Sequence, residues 1–444
     1  MISVKKTALV ILALALTGAG LMPAPASADT YTSDNPYPIS SFADLQEFKT
    51  YVEANLTETV NAKLTADIVC PDGGWINLIG QTSEIAYKGT FDGNGHKITL
   101  VNKSLLTSPR TGLFYDIANG SVVQDLKVEV IVKNASTLNS TDTTQIISPV
   151  AMYNHGTIQD VTVNCAIVTQ GPAFGVVSAN HGTVERVTVN GWIQTVRTTT
   201  AVAGIAQYSY SGSVIRHCVN NATLIGFNHV GGLVSFLNGR LEYSANHGDV
   251  TNNSTNRDYT GGLAAEINFT TYGDPKADIY NCYNAGAVSG GLSNRYGIGG
   301  LVGGYSREEY AFQEDYGIVN SFNFGHVTAN TGASAAIIGT GVTAQSNGNP
   351  VPVKAEDVAG CSNVYYLEGC ADAIFGPGST AVAGDKFIGK DAEYFRDELF
   401  DVLNGGPGGK ITDENVWKLA GISRAWLPSE TSPWRRTTSP ILRS

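Results

Sequence analysis

The loop REEYAFQED gathers Glu308, Glu309, Glu314 and Asp315 within a few residues, and Asp249 and Glu266 stand in the stretches before it. Glycoside hydrolysis would need two such carboxylates facing one groove, one as acid and the other as base or nucleophile. Several acid oxygens at close range could also hold calcium, but this spacing matches no known calcium loop. The competing reading of these acids is a solvated loop. A zinc-protease reading drops out, because none of the seven histidines begins a His-Glu-x-x-His motif. The segment FDGNGH, with Phe91, Asp92, Asn94 and His96, has the residue types of a site. Its two glycines, Gly93 and Gly95, mark a tight turn instead, with Asp and Asn satisfying backbone donors. No metal motif and no cofactor motif is present, so the chemistry depends on what positions these residues.

What positions them is a repeat. The pattern aliphatic-x-x-[Cys/Ser]-x-Asn-x-[Gly/Ala]-x-aliphatic runs as IYNCYNAGAV from Ile279, IVNSFNFGHV from Ile318, LEYSANHGDV from Leu241 and IRHCVNNATL from Ile215. Looser copies are VERVTVNGWI from Val184, IQDVTVNCAI from Ile158 and VQDLKVEVIV from Val123. Between them recurs small-Gly-aliphatic: TGLF at 111, FGVV at 174, AGIA at 203, GGLV at 231, GGLA at 261, GGLV at 299 and AAII at 335. Short strands recurring every roughly 26 to 40 residues with variable loops fit the coils of a parallel β-solenoid.

Alternation along a strand puts Cys282, Asn284, Gly286 and Val288 on the interior face and Tyr283, Ala285 and Ala287 outside. Stacking equivalent positions gives Val128, Val163 and Val189, then Asn220, Asn246, Asn284 and Asn323. Buried asparagines need partners, and asparagines one rung apart can bond each other, which predicts an internal ladder. The glycines are expected to let the backbone turn a tight corner. The residue two after the first aliphatic is Asp125, Asp160, Arg186, His217, Tyr243, Asn281 and Asn320, with no constant chemistry.

On the outer face the register sets Tyr283 beside Phe322, with Phe324 and His326 further along the strand. These four are the candidate ligand-binding residues, suited to stacking on sugar rings or anchoring a protein. The alternative is that a Trp-rich tail (Trp417, Trp426, Trp434) or a long loop packs over them.

At the ends, SSFADLQEFKTYVEANL reads as a helix with Ser41 and Asp44 as a capping box and Phe42, Leu45, Phe48 and Val52 on one stripe. It is expected to cover the first coil and its open strand edges. CSNVYYLEG near Cys361 reads as a last partial coil. A short helix is predicted around Ala392 to Leu403, ended by Gly405. The fold class is therefore all-β: a right-handed single-stranded parallel β-helix with a short N-terminal helical cap and a small C-terminal α/irregular capping segment.

Lys5 and Lys6, the apolar run from Thr7 to Met22 and Ala26-Ser27-Ala28 form a secretory signal peptide. The expected division is a signal peptide at 1–28, a cap and first coil at 29–110, a parallel β-helix at 111–370 and a capping segment at 371–444. Removing residues 1–28 takes away those two lysines and no acid, so the formal net charge moves from −11 to −13. Such a chain is a poor partner for nucleic acid or an anionic membrane, and no later run is long enough to span one. Cys361 and Cys370 could pair locally, while most of the six cysteines read as buried small hydrophobes.

FADLQEFKTYV, LTADI at 64, Trp75 with LIG at 78, YKGTFDGNGHKIT at 87 and the repeated GGLVG-like steps resemble bacterial surface proteins that carry GLUG-motif repeats on a right-handed parallel β-helix. YYL at 365 and LNGG at 403 resemble the ends of their repeat regions, so the likeness covers roughly residues 38 to 405. Such repeats occur in adhesin-like proteins and in the N-terminal parts of immunoglobulin A1 proteases. The resemblance implies a fold and a surface role. The expected function is binding of glycans or of host or environmental proteins at or beyond the bacterial surface, without catalysis. The alternative is a glycoside hydrolase or polysaccharide lyase with a lateral groove under the loops around residues 266–276 and 303–316.

Overall fold

The computed structural model describes residues 31–399 except residue 56 and the segments 75–77, 81–85, 104–109, 134–145, 198–199, 255–258, 269–277, 291–296, 307–316, 331–333, 343–350 and 382–383. Trp75, the acids of the 307–315 loop, the Trp-rich tail, Gly405 and residues 1–28 lie outside the described residues. The chain is a right-handed parallel β-helix. Its described strands form a 22-stranded and a 16-stranded sheet, in which the paired strands run parallel. One coil illustrates the path. Arg240–Glu242, Ala245–Asn246 and Val250–Asn252 lie in the first sheet, Thr260–Gly261 and Ala264–Asn268 in the second, and Asp278–Tyr280 starts the next coil on the first.

Helix α1, Phe42–Ala54, begins where the sequence places it. Ser41 is the N-cap and accepts from the Asp44 amide at 3.2 Å, while Asp44 returns its bond to Ser40 (2.9 Å to the amide) rather than to Ser41. Leu45, Phe48 and Val52 are buried, and the Phe48 ring lies about 6 Å from those of Tyr87 and Phe91. Phe42 is only partly buried at the edge of this packing.

The interior stack follows the expected register: Val128, Val163 and Val189 are succeeded by Asn220, Asn246, Asn284 and Asn323. All four asparagines are fully buried. Nδ2 of Asn220 donates to Oδ1 of Asn246 (2.8 Å), Asn246 to Asn284 (2.8 Å) and Asn284 to Asn323 (2.9 Å). Each Nδ2 also donates to the carbonyl two residues on, at 2.8–3.0 Å, and Asn323 closes the ladder against Cys370 Sγ at 3.6 Å.

The [Cys/Ser] position is a second interior ladder. The backbone N–H of Cys218 donates to Ser244 Oγ, that of Ser244 to Cys282 Sγ and that of Cys282 to Ser321 Oγ. All six cysteines are buried thiols, and Cys361 and Cys370 form no disulfide with each other. Burial pushes the Cys165 and Cys218 thiols up to about 12, so they stay protonated at neutral pH. These sulfurs do more than fill space, because Cys282 and Cys361 accept backbone bonds that the strand ladder leaves open.

The glycines correct one expectation. Gly232, Gly262 and Gly300 do lie at bends between two strands of the second sheet, but none is at positive φ, so the bend itself does not call for glycine's conformational freedom. A Cβ on Gly262 would sit 2.1 Å from the Gly300 carbonyl oxygen and 2.3 Å from Asn284 Cγ. Gly232 and Gly300 meet Asn246 and Asn323 in the same way. The glycine motif and the asparagine ladder are thus one device, with the missing side chain making room for the amide. The left-handed turn falls at the position with no constant chemistry: Asp125, Asp160, Arg186, His217, Tyr243, Asn281 and Asn320 all have φ between 46° and 55°.

Candidate ligand-binding faces

The predicted aromatic site is a packed row. Tyr283 and Phe322 are register partners with stacked rings at 4.8 Å, as the sequence requires. They are 4% and 0% exposed, and Phe324 is 8% exposed. The cover is helix α2, Ala392–Asp397, whose Phe395 ring lies 5.6 Å from Phe322 and 5.3 Å from Phe324, with Leu399 buried beside it. Tyr283 OH bonds His247 Nε2 at 2.5 Å. Of the four candidates only His326 is exposed, and the other three form core in place of an open platform. In FDGNGH, Phe91 is buried, Asn94 takes a left-handed turn and its amide donates to Asp92 Oδ1 at 2.8 Å. His96 lies 3.3 Å from Asp67, so this segment is a turn with its polar groups used locally.

The second sheet carries a row that sequence reading did not single out. One outward column runs Asp116, Tyr153, Ala179, Tyr208, Phe236 and Glu266 in register. Tyr115 lies 5.4 Å from Tyr153 under the Arg110 guanidinium. His155, His181 and Tyr210 stack at 4.6 and 4.1 Å, and Tyr210 continues through Tyr208 and Phe236 to His229 and Tyr259. Neighbouring rings take up one another's faces, so imidazole and phenol edges are what the row shows to solvent. The available signal was weak: aromatic types recur in this strand without a fixed motif.

Two acids are set into this row, each on a histidine. His155 Nδ1 lies 2.9 Å from Asp116 Oδ1, and His229 Nε2 lies 3.0 Å from Glu266 Oε2. Burial raises the Asp116 carboxyl, and the His155 bond pulls it the other way. Asp116 and Glu266 stand five strand steps apart, about 24 Å at the usual spacing. Two-carboxylate hydrolysis needs about 5 to 10 Å, so this pair cannot perform it. On the first sheet, Glu185 is bound by Arg186 and Arg216, and Asp160 by Arg186 at 2.7 Å. Asp249 is exposed and accepts from the Ala287 amide at 3.0 Å. No group of three His, Cys, Asp or Glu placed to hold a metal ion occurs among the described residues.

Burial lowers the affinity of His181, His217 and His247 for protons. Their unfolded value is about 6.5, so below it the unfolded chain binds more protons and stability falls as pH falls. The melting temperature should therefore decline between pH 7.5 and 5.5, and His247→Gln should flatten part of the decline. Calorimetry at the two pH values checks this; a constant melting temperature would contradict it.

Fold and faces together define a β-solenoid whose sheets display stacked side-chain ladders. No protein-family profile matches the chain. Halomucin of Haloquadratum walsbyi is 30% identical over 151 residues, 33% of this chain, and the chain spans 2% of its length. Among solved structures, one from Bacteroides ovatus provisionally assigned as an immunoglobulin A1 protease is similar over 83% of this chain and 88% of its own, with 14% identity and a TM-score of 0.41. A structure described as IgA1 protease is similar over 70% of this chain and 24% of its own, with 15% identity and a TM-score of 0.46. Function therefore has to be argued from the residues of this chain.

Proposed function

We propose that the protein is a secreted or cell-surface β-helix that binds an extended ligand, a glycan or a host or environmental protein, along its second sheet without performing chemistry on it. The observation that carries this reading is the run of ring contacts from His155 to Tyr259, with the Arg110, Tyr115 and Tyr153 group beside it on the same sheet. A rigid sheet holds the edges in fixed positions, so little side-chain entropy remains to be lost on binding. The wide separation of Asp116 and Glu266 removes that pair as the two carboxylates of a hydrolase. The export signal read at 1–28 supports secretion, and no helix among the described residues is long and apolar enough to cross a membrane. The division into signal, cap, β-helix and capping segment remains part of this proposal.

The test is a triple variant, Tyr153→Ala with His181→Ala and Tyr210→Ala, at positions where side chains reach solvent. Retention on the ligand found for the wild type should fall at least tenfold, with the melting temperature within about 3 °C. Undiminished retention would remove the second sheet from the proposal.

A further inference from the structure

Trp192 is the most exposed Phe, Tyr or Trp among the described residues, at 46%. It points outward from the strand Thr188–Thr195 of the first sheet, away from the row just described. Its register partners are Ala166 on one side and Thr223 on the other. Both are small, so no neighbouring ring stacks on the indole from the adjacent strands, in contrast to every rung from His155 to Phe236. Two residues back on the same face, about 7 Å along the strand, begins a row of amides. Asn190 Nδ2 donates to Asn164 Oδ1 at 3.1 Å and Asn221 Nδ2 donates to Asn190 Oδ1 at 3.0 Å. Each Nδ2 has a second hydrogen beyond these bonds. Gln194 lies two residues forward.

We infer that Trp192 with Asn164, Asn190, Asn221 and Gln194 forms a binding site for a pyranose ring of a neutral glycan. A pyranose has an apolar C–H face and a polar rim, and this patch offers an open indole face beside a line of amides. Glu129 beside Asn164 is paired with Lys97 at 3.1 Å, so the selection against acidic sugars comes from Asp249, next to Thr223 in register, and from the chain's net charge of −11. Half-exposed Ile131, Val168 and Ile225 stand on the same face in the neighbouring strands, so a protein partner is the competing occupant, and the line of amides beside the single ring is what favours a sugar. This site is separate from the second sheet and does not depend on the role proposed there.

Affinity electrophoresis of the full chain through gels containing dextran, galactomannan, xylan or polygalacturonate tests the inference. The wild type should be retarded by at least one neutral polymer and not by polygalacturonate. Trp192→Ala should lose that retardation at least tenfold while melting as the wild type does, and Asn190→Ala should lose part of it. Adding Trp192→Ala to the second-sheet triple variant should lower retardation further than the triple variant alone, which separates failure of this site from failure of the other. Equal retardation of Trp192→Ala, retardation by none of the neutral polymers, or binding only to a protein that persists after its deglycosylation would overturn the assignment.

Discussion

Gly262→Ala should destabilise the protein by about 3 kcal/mol or more, because an added methyl here has nowhere to go. Its Cβ would meet the Gly300 carbonyl oxygen at 2.1 Å and the Asn284 amide at 2.3 to 2.5 Å. Neither neighbour can yield cheaply. The carbonyl belongs to the next coil, and the amide is fixed by bonds to Asn246, Asn323 and Gly286. Gly384→Ala is the control, since nothing lies within 4 Å of its added Cβ and its φ is ordinary. Denaturant melts of the two variants should differ by nearly the whole effect. Equal midpoints would mean that the glycine steps are permissive turns, as the sequence alone suggested.

Asn284→Leu attacks the same device from the other side. It takes the acceptor from Asn246 Nδ2 and the donor from both Asn323 Oδ1 and the Gly286 carbonyl. Neighbours keep some bonds, since Asn246 still reaches the Gly248 carbonyl and Asn323 still accepts from the Gly325 amide. The expected loss is about 2 to 4 kcal/mol, from groups left partly unpaired in a dry interior. A double-mutant cycle with Asn246→Leu should show coupling, because the two amides are bonded to each other. Strict additivity would place the amides outside the ladder.

The interior was legible because burial and period 2 act on side-chain type. A valine stack giving way to asparagines can be read directly from aligned copies, and so can the pairing of Tyr283 with Phe322. The left-handed corner was not legible, because its constraint falls on backbone φ. Asp160, Arg186, His217 and Tyr243 share that dihedral and no chemistry, and they find different partners along the outside. Asp160 holds Arg186, and His217 stacks on Tyr243 at 5.1 Å. Nor could alternation decide exposure at Tyr283, Phe322 and Phe324. Those rings do point out of the solenoid, but helix α2 arrives from seventy residues downstream to cover them. The second-sheet row escaped notice because its rungs differ in type, and ring stacking between coils tolerates His, Tyr and Phe alike.

The most direct measurement is a screen of the mature protein on immobilised polysaccharides and glycoproteins, reading retained protein and released reducing or unsaturated sugar from the same wells. Retention without product is expected, and the Tyr153, His181 and Tyr210 triple variant should lower it. Product from any well would contradict a role confined to binding and would direct attention to Glu308, Glu309, Glu314 and Asp315.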